Sequence, residues 1–560
     1  MLKTMLHRYF GWLGLLLSLL LSGCASLPSD VQRPVSTALT DNSSTQLGQT
    51  VAAQAARANT RNDSGFALVG SAELAFTSRM ALIKAAEKTL DLQYYAIHAD
   101  DTTDRMFAAL KEAAGRDVRV RILLDDFNTA GKDAQVLKLA FEKNIEMRLF
   151  NPLPSSRGSG LWRIVSSLSD AARLQRRMHN KIFVADNAVA ITGGRNLGDT
   201  YFGQSDGVNF VDIDVLAAGR MARDLSRSFD QYWNNPLAYP VQSLMTAKDI
   251  EALKPKPQAQ SETSAENPLP ANERPASQPN ASAPSEPNKT TVTRVAVDPA
   301  GLTTTLAALP DTTNLRLLNW TWAPSVMLVD KASKIAADAD AAEESNDTAV
   351  DGLLSLMSQA KTDLLVVSPY FVPGPEMMKQ FADIRQRGVR VRVLTNSLAS
   401  NDAVAAHAGY ARYREALIAM GVELYEMRSM RRGTVADFGS GSGSAGGSRG
   451  ASRASLHAKA VVIDKQLLVV GSMNLDLRSK LQNSEVAIAI RNRKLATEAT
   501  ALIEPGLTTG AYRVELVNGQ LVWRAPQGSG LPDATSEPDA SMSLRLLVKL
   551  ISPFAPDEML

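Results

Sequence analysis

Two stretches of the chain repeat one pattern of side chains. They are Met178-His179-Asn180-Lys181-Ile182-Phe183-Val184-Ala185-Asp186 and Leu456-His457-Ala458-Lys459-Ala460-Val461-Val462-Ile463-Asp464. In each, a His and a Lys two residues apart precede an apolar run that ends in Asp, and Asn196 or Asn474 follows at the same spacing from its His. An apolar run that ends at a turn pair such as Asp186-Asn187 or Asp464-Lys465 is typical of a β-hairpin. Because residues two apart share one face of a strand, each His is predicted to point to the same side as its Lys.

The sequence around these stretches is also repeated. Alternating Val and Arg fill Val118–Leu123 in the first half and Val389–Leu394 in the second, which predicts a strand in each. The amphipathic stretches Met106–Ala114 and Met377–Gln386 precede them and predict helices. Further strands are predicted on either side: Asp91–Tyr95, Ile145–Phe150, Asp363–Val367 and Val422–Tyr425. The chain is therefore predicted to be α/β, with two lobes related by a pseudo-twofold axis, each a mixed β-sheet flanked by helices. Duplicated lobes favour a single site at their interface.

Composition narrows the class of protein. The 560 residues include 60 Lys and Arg against 58 Asp and Glu, with 45% apolar and 21% charged residues. This balance excludes a basic protein that packs nucleic acid and an acidic disordered protein. The single Cys excludes a disulfide scaffold and a thiolate zinc site.

The N-terminal segment is typical of a secretory signal. Residues 1–23 run from a weakly basic start through an apolar stretch to small residues. The string Leu21-Ser22-Gly23-Cys24-Ala25 resembles the bacterial lipoprotein box, in which Cys24 becomes a diacylated N-terminus. The alternative is an uncleaved signal anchor with an incidental Cys. We expect a lipid-anchored protein that faces the periplasm, and Ala25 after the Cys favours the outer membrane by resemblance to sorted lipoproteins.

Shifts in composition predict where the domains begin and end. The predicted segments are a signal peptide at 1–23, a flexible tether at 24–65, lobe 1 with the first motif at 66–250, a Pro/Ser-rich disordered linker at 251–292, lobe 2 with the second motif and a Gly/Ser-rich loop (439–453) at 293–525, and a tail with a short helix at 526–560. In the tail, apolar residues from Leu544 to Ile551 recur at helical spacing. This spacing predicts a helix that packs against a lobe, with a helix lying on a bilayer as the alternative.

The paired motifs offer groups that suit a phosphodiester. Lys181 and Lys459 can neutralise the charge of an anionic substrate. Of His179 and His457, one can attack phosphorus as a neutral imidazole, and the other can hand a proton to the departing alkoxide.

Further residues are predicted to support this chemistry. Four of them are predicted to bind the non-bridging oxygens of the substrate. The asparagines would donate from their amides, and the small residues would let the backbone approach the substrate closely: Asn196, Asn474, Gly194 and Ser472. A carboxylate behind each imidazole would fix its tautomer, and the strand after each motif supplies one, Asp212 or Asp214 in the first copy and Glu485 in the second. Asp186 and Asp464 complete the predicted catalytic set and, lying at turns, are expected to hold the motif geometry.

Simpler roles compete with these. A single His-x-Lys on a strand usually marks a half-exposed strand, but two copies with identical spacing do not arise readily by chance. A His/Asp metal site is disfavoured because each Lys would oppose the ion, so we expect no metal and no cofactor. His98 and His407 are expected to be hydrogen-bonded structural residues. Arg173, Arg176 and Arg177 predict a solvated face, with attraction to membrane phosphates as the alternative.

The two motifs resemble the paired HKD motifs of the phospholipase D superfamily over most of residues 66–525. Three further strings resemble bacterial cardiolipin synthases of the C-type branch: Ile191-Thr192-Gly193-Gly194-Arg195-Asn196-Leu197-Gly198-Asp199-Thr200-Tyr201-Phe202, Ser368-Pro369-Tyr370-Phe371-Val372-Pro373-Gly374 and Asn474-Leu475-Asp476-Leu477-Arg478-Ser479. The resemblance implies a metal-independent transfer through a phosphatidyl-histidine intermediate. It implies His179 as nucleophile and His457 as acid and base, while the near-symmetry of the motifs leaves this assignment open.

The leading hypothesis is cardiolipin synthesis from phosphatidylglycerol, with phosphatidylglycerol or phosphatidylethanolamine as phosphatidyl donor. The alternatives are a phospholipase D that releases phosphatidic acid, an HKD nuclease and a non-enzymatic envelope protein. The nuclease is disfavoured by the anchor and by the lack of a basic surplus, so the expected partners are phospholipids and a membrane surface rather than nucleic acid. The aromatic pairs Tyr94-Tyr95 and Tyr370-Phe371, at equivalent strand ends, are expected to wall the pocket against water.

Overall fold

The computed structural model describes residues 27–60, 63–153, 175–245, 249, 318–336, 347–429, 453–552 and 556–557. The predicted signal peptide, Cys24, the Pro/Ser-rich linker and all but the last residue of the Gly/Ser-rich loop lie outside the described residues.

Most strands of the first half form one nine-stranded sheet. In chain order the strands are β1 (Ser64–Val69), β2 (Thr89–Tyr94), β3 (Arg119–Asp125), β4 (Ile145–Phe150), β5 (Ile182–Ala185), β6 (Val189–Gly193), β7 (Val208–Val211), β8 (Asp214–Ala218), β9 (Ala238–Pro240) and β10 (Thr321–Ala323). The sheet order is β10-β1-β8-β6-β5-β2-β3-β4-β9, and β7 stands apart from it. Strands β2, β3 and β4 run parallel, and the other neighbours are antiparallel.

The second half repeats this sheet. Its strands are β11 (Ser325–Val329), β12 (Asp363–Val367), β13 (Phe371–Val372), β14 (Arg390–Asn396), β15 (Glu423–Met427), β16 (Arg453–Leu456), β17 (Ala460–Ile463), β18 (Leu467–Gly471), β19 (Leu475–Asp476), β20 (Val486–Arg491), β21 (Ala511–Val517) and β22 (Gln520–Arg524). The sheet order is β11-β20-β18-β17-β12-β14-β15-β21-β22, with β12, β14 and β15 parallel. The order β8-β6-β5-β2-β3-β4-β9 thus corresponds to β20-β18-β17-β12-β14-β15-β21, which confirms the predicted pair of mixed α/β lobes.

Two helices, Arg220–Trp233 and Arg493–Thr508, contribute to the buried layer between the sheets. The described helices together flank both sheets. They are α1 (Gln46–Arg57), α2 (Ala72–Ala85), α3 (Asp101–Gly115), α4 (Arg220–Trp233), α5 (Val241–Leu244), α6 (Ser333–Ala336), α7 (Ala349–Met357), α8 (Gly374–Gln386), α9 (Val404–Ala411), α10 (Arg414–Ala419), α11 (Leu477–Leu481), α12 (Arg493–Thr508) and α13 (Met542–Ile551), with 3-10 turns at Gly131–Phe141 and Asp199–Tyr201. Within the described part of the chain, none of these helices is long and apolar enough to cross a membrane.

The two sheets share one buried layer. Ile182 and Val215 of the first sheet and Val462 and Ile488 of the second belong to the same hydrophobic cluster. Strand β7 also pairs in parallel with β16, which joins the lobes through backbone hydrogen bonds. Because side chains on both faces of these short central strands are buried, the runs read as continuously apolar. This shared layer fixes the lobes against each other and brings the two motif strands together.

The structure differs from the predicted tether. Within residues 24–65, Thr45 caps α1, whose Leu47 and Val51 are buried against lobe 1. Arg121 Nη1 donates to the Ser36 carbonyl oxygen at 2.8 Å. The prediction of a flexible tether is therefore wrong for this part, because a buried guanidinium needs acceptors and the preceding chain supplies one.

The boundary before lobe 2 also differs from the prediction. Strand β10 lies in the range assigned to lobe 2, yet Phe66 in β1 pairs with Thr321 in β10 within the first sheet. Pro324 then separates β10 from β11, which enters the second sheet. The cause is the open edge of β1, whose backbone groups need a partner strand that composition does not reveal.

Candidate active site

The two motif hairpins close with the same turn. Asp186 and Asn187 have φ values of 51° and 50°, and Asp464 and Lys465 have 54° and 52°. Two consecutive left-handed residues are characteristic of a type I′ turn, and the N–H groups of Ala188 and Gln466 close the two turns on the carbonyl oxygens of Ala185 and Ile463. The Asp186 carboxylate accepts hydrogen bonds from the backbone N–H groups at the start of β2, and Asp464 does the same at the start of β12. These two members of the predicted catalytic set therefore anchor backbone rather than point toward the histidines.

The His-x-Lys pairs lie just before their strands, in extended backbone. The His179 N–H donates to the Ser484 carbonyl oxygen at 2.9 Å, and the His457 N–H donates to the Val211 carbonyl oxygen at 2.8 Å. Each motif is thus hydrogen-bonded to the other lobe. The acceptor residue comes directly before a carboxylate, which is Glu485 for the first motif and Asp212 for the second. Main-chain hydrogen bonds across the lobes therefore set the register of the site.

The carboxylates pair with the histidines across the lobes. His179 Nδ1 lies 3.0 Å from both carboxylate oxygens of Glu485, and His457 Nδ1 lies 2.7 Å from Asp212 Oδ2. The expectation of a carboxylate from the same copy is corrected, because the twofold arrangement exchanges partners between the lobes. Asp214, the other candidate, instead pairs with the buried Arg79 at 3.0 Å.

Two small residues make room for these carboxylates. A Cβ at Gly194 would lie 2.2 Å from Asp212 Oδ1, so the close approach requires glycine. At the equivalent position in lobe 2, the Ser472 hydroxyl donates to Glu485 Oε2 at 2.5 Å. Both residues were predicted to bind substrate, and the structure places both against the carboxylates.

The remaining predicted residues are the two lysines and the two asparagines. Lys181 Nζ donates to the His179 carbonyl oxygen at 2.7 Å, and Lys459 Nζ donates to the His457 carbonyl oxygen. The Asn196 amide donates to the Tyr201 hydroxyl at 3.0 Å. The buried Oδ1 of Asn474 has no hydrogen-bond partner among the described residues. Asn474 therefore retains an unused polar atom, whereas the Asn196 side chain is already tied to the protein.

Burial sets the protonation states of the two histidines. It lowers the pKa of His179 to about 4, with Glu485 opposing the shift, and the pKa of His457 to about 3, with Lys459 adding to the shift. With Nδ1 engaged by a carboxylate, each neutral ring has Nε2 available for chemistry. At neutral pH the free site therefore holds two neutral imidazoles.

The lysines and carboxylates of the site shift one another's pKa values. Burial lowers the pKa of Lys181 to about 7 and of Lys459 to about 8, with the carboxylates opposing both shifts. The pKa values of Asp212 and Glu485 lie below their usual ones, because the histidines and lysines outweigh the effect of burial. An anionic phosphodiester would raise the pKa values of the lysines and imidazoles around it. Substrate binding can therefore bring in the proton that one imidazole needs to act as an acid.

Aromatic rings flank both imidazoles. The Tyr95 ring centroid lies 5.1 Å from that of His179, and the rings of Tyr201 and Phe210 lie 5.4 and 4.8 Å from that of His457. Tyr201 and Phe210 were not predicted as wall residues; their position follows from the 3-10 turn and β7, which sequence periodicity does not reveal.

Two of the four predicted wall residues lie elsewhere. The Tyr94 hydroxyl accepts a hydrogen bond from buried Arg79, and Phe371 packs in the lobe 2 core against Phe381. The cause is strand alternation, which turns one member of each aromatic pair away from the site. Tyr370 remains, with its hydroxyl donating to Asp402 at 2.9 Å. The negative charge of Asp402 opposes part of the lowering of the Lys459 pKa.

The arginines before His179 are not a solvated face where the structure describes them. Arg177 is buried and lies 3.2 Å from Asp125, whose other oxygen accepts from the Met178 N–H at 2.8 Å. Arg176 is also buried, and Arg173 lies outside the described residues. The prediction is wrong because this segment runs through the lobe, where Arg177 meets Asp125. The pair positions the backbone that carries His179.

The other two histidines that the structure describes are hydrogen-bonded to carboxylates outside the motifs. His98 Nδ1 lies 3.0 Å from Asp133, and His407 Nε2 lies 3.2 Å from Glu537. In the described ranges, no three His, Cys, Asp or Glu side chains are grouped so that they could hold a metal ion.

Comparison with known proteins identifies the family. A family model described as "Cardiolipin synthase, PLD-like domain" matches residues 80–233 and 353–505, one copy for each lobe and together more than half of the chain. The chain belongs to the cardiolipin synthase branch of the phospholipase D superfamily. This branch membership makes it a phospholipase D-superfamily phosphatidyltransferase.

Individual relatives agree with this membership. Cardiolipin synthase C of Escherichia coli (strain K12) is 34% identical over 484 residues, which cover 85% of this chain and 92% of that protein. A cardiolipin synthase of Geobacillus kaustophilus is 23% identical over 421 residues, or 75% of this chain and 61% of that protein. The crystal structure of phosphatidylserine synthase from Haemophilus influenzae Rd KW20 superimposes with a TM-score of 0.53 at 12% identity, over 91% of this chain and 98% of that one. At that identity the superposition shows the fold alone.

Proposed function

We propose that this enzyme makes cardiolipin by metal-independent phosphatidyl transfer to phosphatidylglycerol, with phosphatidylglycerol or phosphatidylethanolamine as the donor. The observation that carries the proposal is the crossed pair of imidazoles, each with Nδ1 on a carboxylate of the other lobe. This arrangement provides a nucleophile and an acid at one site between two ammonium groups. The similarity to cardiolipin synthase C supports the choice of a lipid acceptor.

The first half-reaction breaks the bond between phosphorus and the headgroup oxygen. His179 Nε2 attacks phosphorus, and His457, protonated when the anionic lipid binds, gives its proton to the departing headgroup alkoxide. The products are a free headgroup alcohol and a phosphatidyl group bonded to His179. Lys181 and Lys459 stabilise the charge that develops on the non-bridging oxygens.

The second half-reaction reverses these roles. His457, now neutral, takes the proton from a hydroxyl of phosphatidylglycerol, whose oxygen attacks phosphorus as the bond to His179 Nε2 breaks. Cardiolipin leaves, and His457 releases the proton to solvent, so the free site returns to two neutral imidazoles. A hydrolase would use water in the same step, so synthesis requires that the acceptor is held and water is excluded. We assign the exclusion of water to the rings of Tyr95 and Tyr370.

The choice between transfer and hydrolysis can be measured from the products. Purified enzyme in vesicles of phosphatidylglycerol and phosphatidylethanolamine is expected to form mainly cardiolipin, with phosphatidic acid as a minor product. Tyr95→Ala and Tyr370→Ala are expected to lower the ratio of cardiolipin to phosphatidic acid by about three- to tenfold, because they open the site to water. Quantitative lipid mass spectrometry gives both products in one sample.

A matched control is available in the same aromatic pairs. Tyr94→Phe and Phe371→Leu change core residues beside the two wall residues and are expected to leave the product ratio unchanged. If the wild-type enzyme gives chiefly phosphatidic acid even at high phosphatidylglycerol, the synthase proposal fails and hydrolysis replaces it.

We also propose that the enzyme is anchored through a diacylated Cys24 and faces the periplasm from the outer membrane. The lipoprotein-box resemblance at residues 21–25 supports this, and a lipid anchor would hold the site at the surface that contains its substrates. Cells fed labelled palmitate are expected to label the wild-type protein, whereas Cys24→Ala is expected to carry no label and to remain an uncleaved precursor. Equal labelling of the Cys24→Ala protein would rule out this anchor.

A further inference from the structure

The C-terminal helix α13 has two apolar faces. On the inner face, Val548 is buried against Leu398 and Ala408 of lobe 2, with Leu544 beside it. On the outer face, four large apolar side chains stand in solvent, with exposed fractions of 78%, 58%, 44% and 61%: Met542, Leu546, Leu547 and Leu550. The inner face accounts for the fold of the tail, and the outer face has no role in it.

The outer face is unusual for this molecule. Among the described residues nine large apolar side chains are exposed, and four of them lie on this ten-residue helix. Met542, Leu546 and Leu550 are spaced by four, so with Leu547 they form one continuous strip, here called the outer strip. An exposed apolar strip of this kind marks a surface that binds another protein or a membrane.

Helix α13, which carries the outer strip, packs on segments that connect to the active site. Helix α13 packs on α9, which begins two residues after Asp402, the partner of the Tyr370 hydroxyl. Leu398, under Val548, lies two residues after Asn396. The Asn396 amide bonds both the N–H and the carbonyl oxygen of Leu456, the residue before His457. Whatever covers the outer strip is therefore linked through α13 to the segments on the lobe 2 side of the site.

The charge of the helix distinguishes a second copy of the chain from a membrane as the partner of the outer strip. The helix carries Arg545 and Lys549 and no acidic residue. A second copy that packed strip against strip would bring these cations together, which is unfavourable, whereas a surface of anionic phospholipids attracts them. An amphipathic helix with apolar and basic residues of this kind lies in the interface of a bilayer.

We propose that α13 docks the enzyme on an anionic phospholipid bilayer through the outer strip, with Lys549 at the level of the headgroups. This inference rests on the proposed function, since a lipid acceptor and donor must reach the site from a membrane. A lipid at Cys24 would attach the N-terminal segment of the chain, whereas α13 is packed against lobe 2, which carries His457. Docking through α13 therefore sets how the site meets the lipid surface.

A fluorescent label tests the contact directly in the full-length chain. Leu546→Cys and, as a control of similar exposure on β11, Val326→Cys are labelled with an environment-sensitive fluorophore, and the parent chain is labelled in parallel to account for Cys24. With phosphatidylglycerol-containing vesicles, the label at 546 is expected to shift to shorter wavelength and to be quenched by lipids that carry a quencher in the acyl chain. The label at 326 is expected to do neither. A label at 546 that stays in water would overturn the proposal, and so would a shift that grows with protein concentration in the absence of vesicles, which would indicate a second copy.

A second variant separates docking from catalysis. Leu546→Asn combined with Leu550→Asn is expected to raise the vesicle concentration for half-maximal rate by about tenfold, because it removes much of the apolar area that enters the bilayer. Its turnover of a short-chain phosphatidylglycerol below the micelle concentration is expected to match the wild type. Equal loss on the soluble lipid would mean that the strip serves the fold and would refute the proposal. Insertion of the 546 label without cardiolipin formation would instead contradict the proposed function and leave the docking intact.

Discussion

Alanine at either His179 or His457 is expected to lower kcat by at least about 10⁴-fold, and alanine at both is expected to be little worse. The reason is that one site uses both imidazoles in each half-reaction, so the loss of either stops the same cycle. The measurement is the rate of cardiolipin formation in phosphatidylglycerol vesicles, with circular dichroism to show that each variant is folded.

A third histidine provides the control for this experiment. His98, bonded to Asp133 and not to the motif carboxylates, is expected to change kcat by less than about tenfold when replaced by alanine. If either His179→Ala or His457→Ala keeps a rate within tenfold of the wild type, the two lobes do not share one site and the proposed mechanism is wrong.

Removing the charge of either crossed carboxylate is expected to have the second largest effect. Glu485→Gln and Asp212→Asn keep the shape of the side chain but no longer fix the imidazole tautomer or stabilise the imidazolium, so kcat is expected to fall by about 10²- to 10⁴-fold. Both residues are positioning residues, because each acts through the histidine that it contacts. Rates alone would not distinguish this role from a general loss of structure.

Nitrogen NMR provides the distinguishing readout, since the chain has only five histidines. Glu485→Gln is expected to change the ¹⁵N shifts of His179, in the other lobe, and to leave His457 unchanged. Asp212→Asn is expected to do the reverse. Changes at the histidine of the same lobe would contradict the crossed pairing and support the arrangement that the sequence first predicted.

Much of the fold is predictable because the same pattern of strands and helices occurs in both halves of the sequence. The alternating Val/Arg strands and the amphipathic helices before them appear at matching places, and β4 and β12 have the predicted bounds Ile145–Phe150 and Asp363–Val367. Strand β10 and helix α1 were not predicted as parts of lobe 1. Their positions depend on what they pack against, the open edge of β1 for β10 and the apolar core of lobe 1 for α1, and neither is visible in local periodicity.

The chemistry of the site is more predictable than its geometry. The residue types that suit a phosphodiester are evident from the repeated motif, and Asp212 and Glu485 are found from their place on the following strand. The exchange of carboxylates between lobes is not evident, because it depends on the hydrogen bonds from His179 to Ser484 and from His457 to Val211. A twofold axis between repeats is therefore a reason to consider partners from the opposite copy.

The positions of the aromatic residues and of the buried Arg177 depend on tertiary contacts that sequence patterns do not show. Strand alternation separates Tyr94 from Tyr95, but sequence alone does not say which of the two faces the site. Arg177 is buried because Asp125 meets it inside the lobe, and that meeting joins residues far apart in the chain.

The central claim is that His179 carries the phosphatidyl group while His457 moves the proton. The most direct test uses the phosphatidyl ester of p-nitrophenol, whose leaving group needs no proton from an acid. The His457→Ala enzyme is expected to release about one equivalent of p-nitrophenolate and then stop, because the base for the second half-reaction is gone. Mass spectrometry of its peptides is expected to find the phosphatidyl group on His179, and His179→Ala is expected to carry none. A phosphatidyl group on His457 in the His179→Ala enzyme, or no covalent adduct in either variant, would contradict the account.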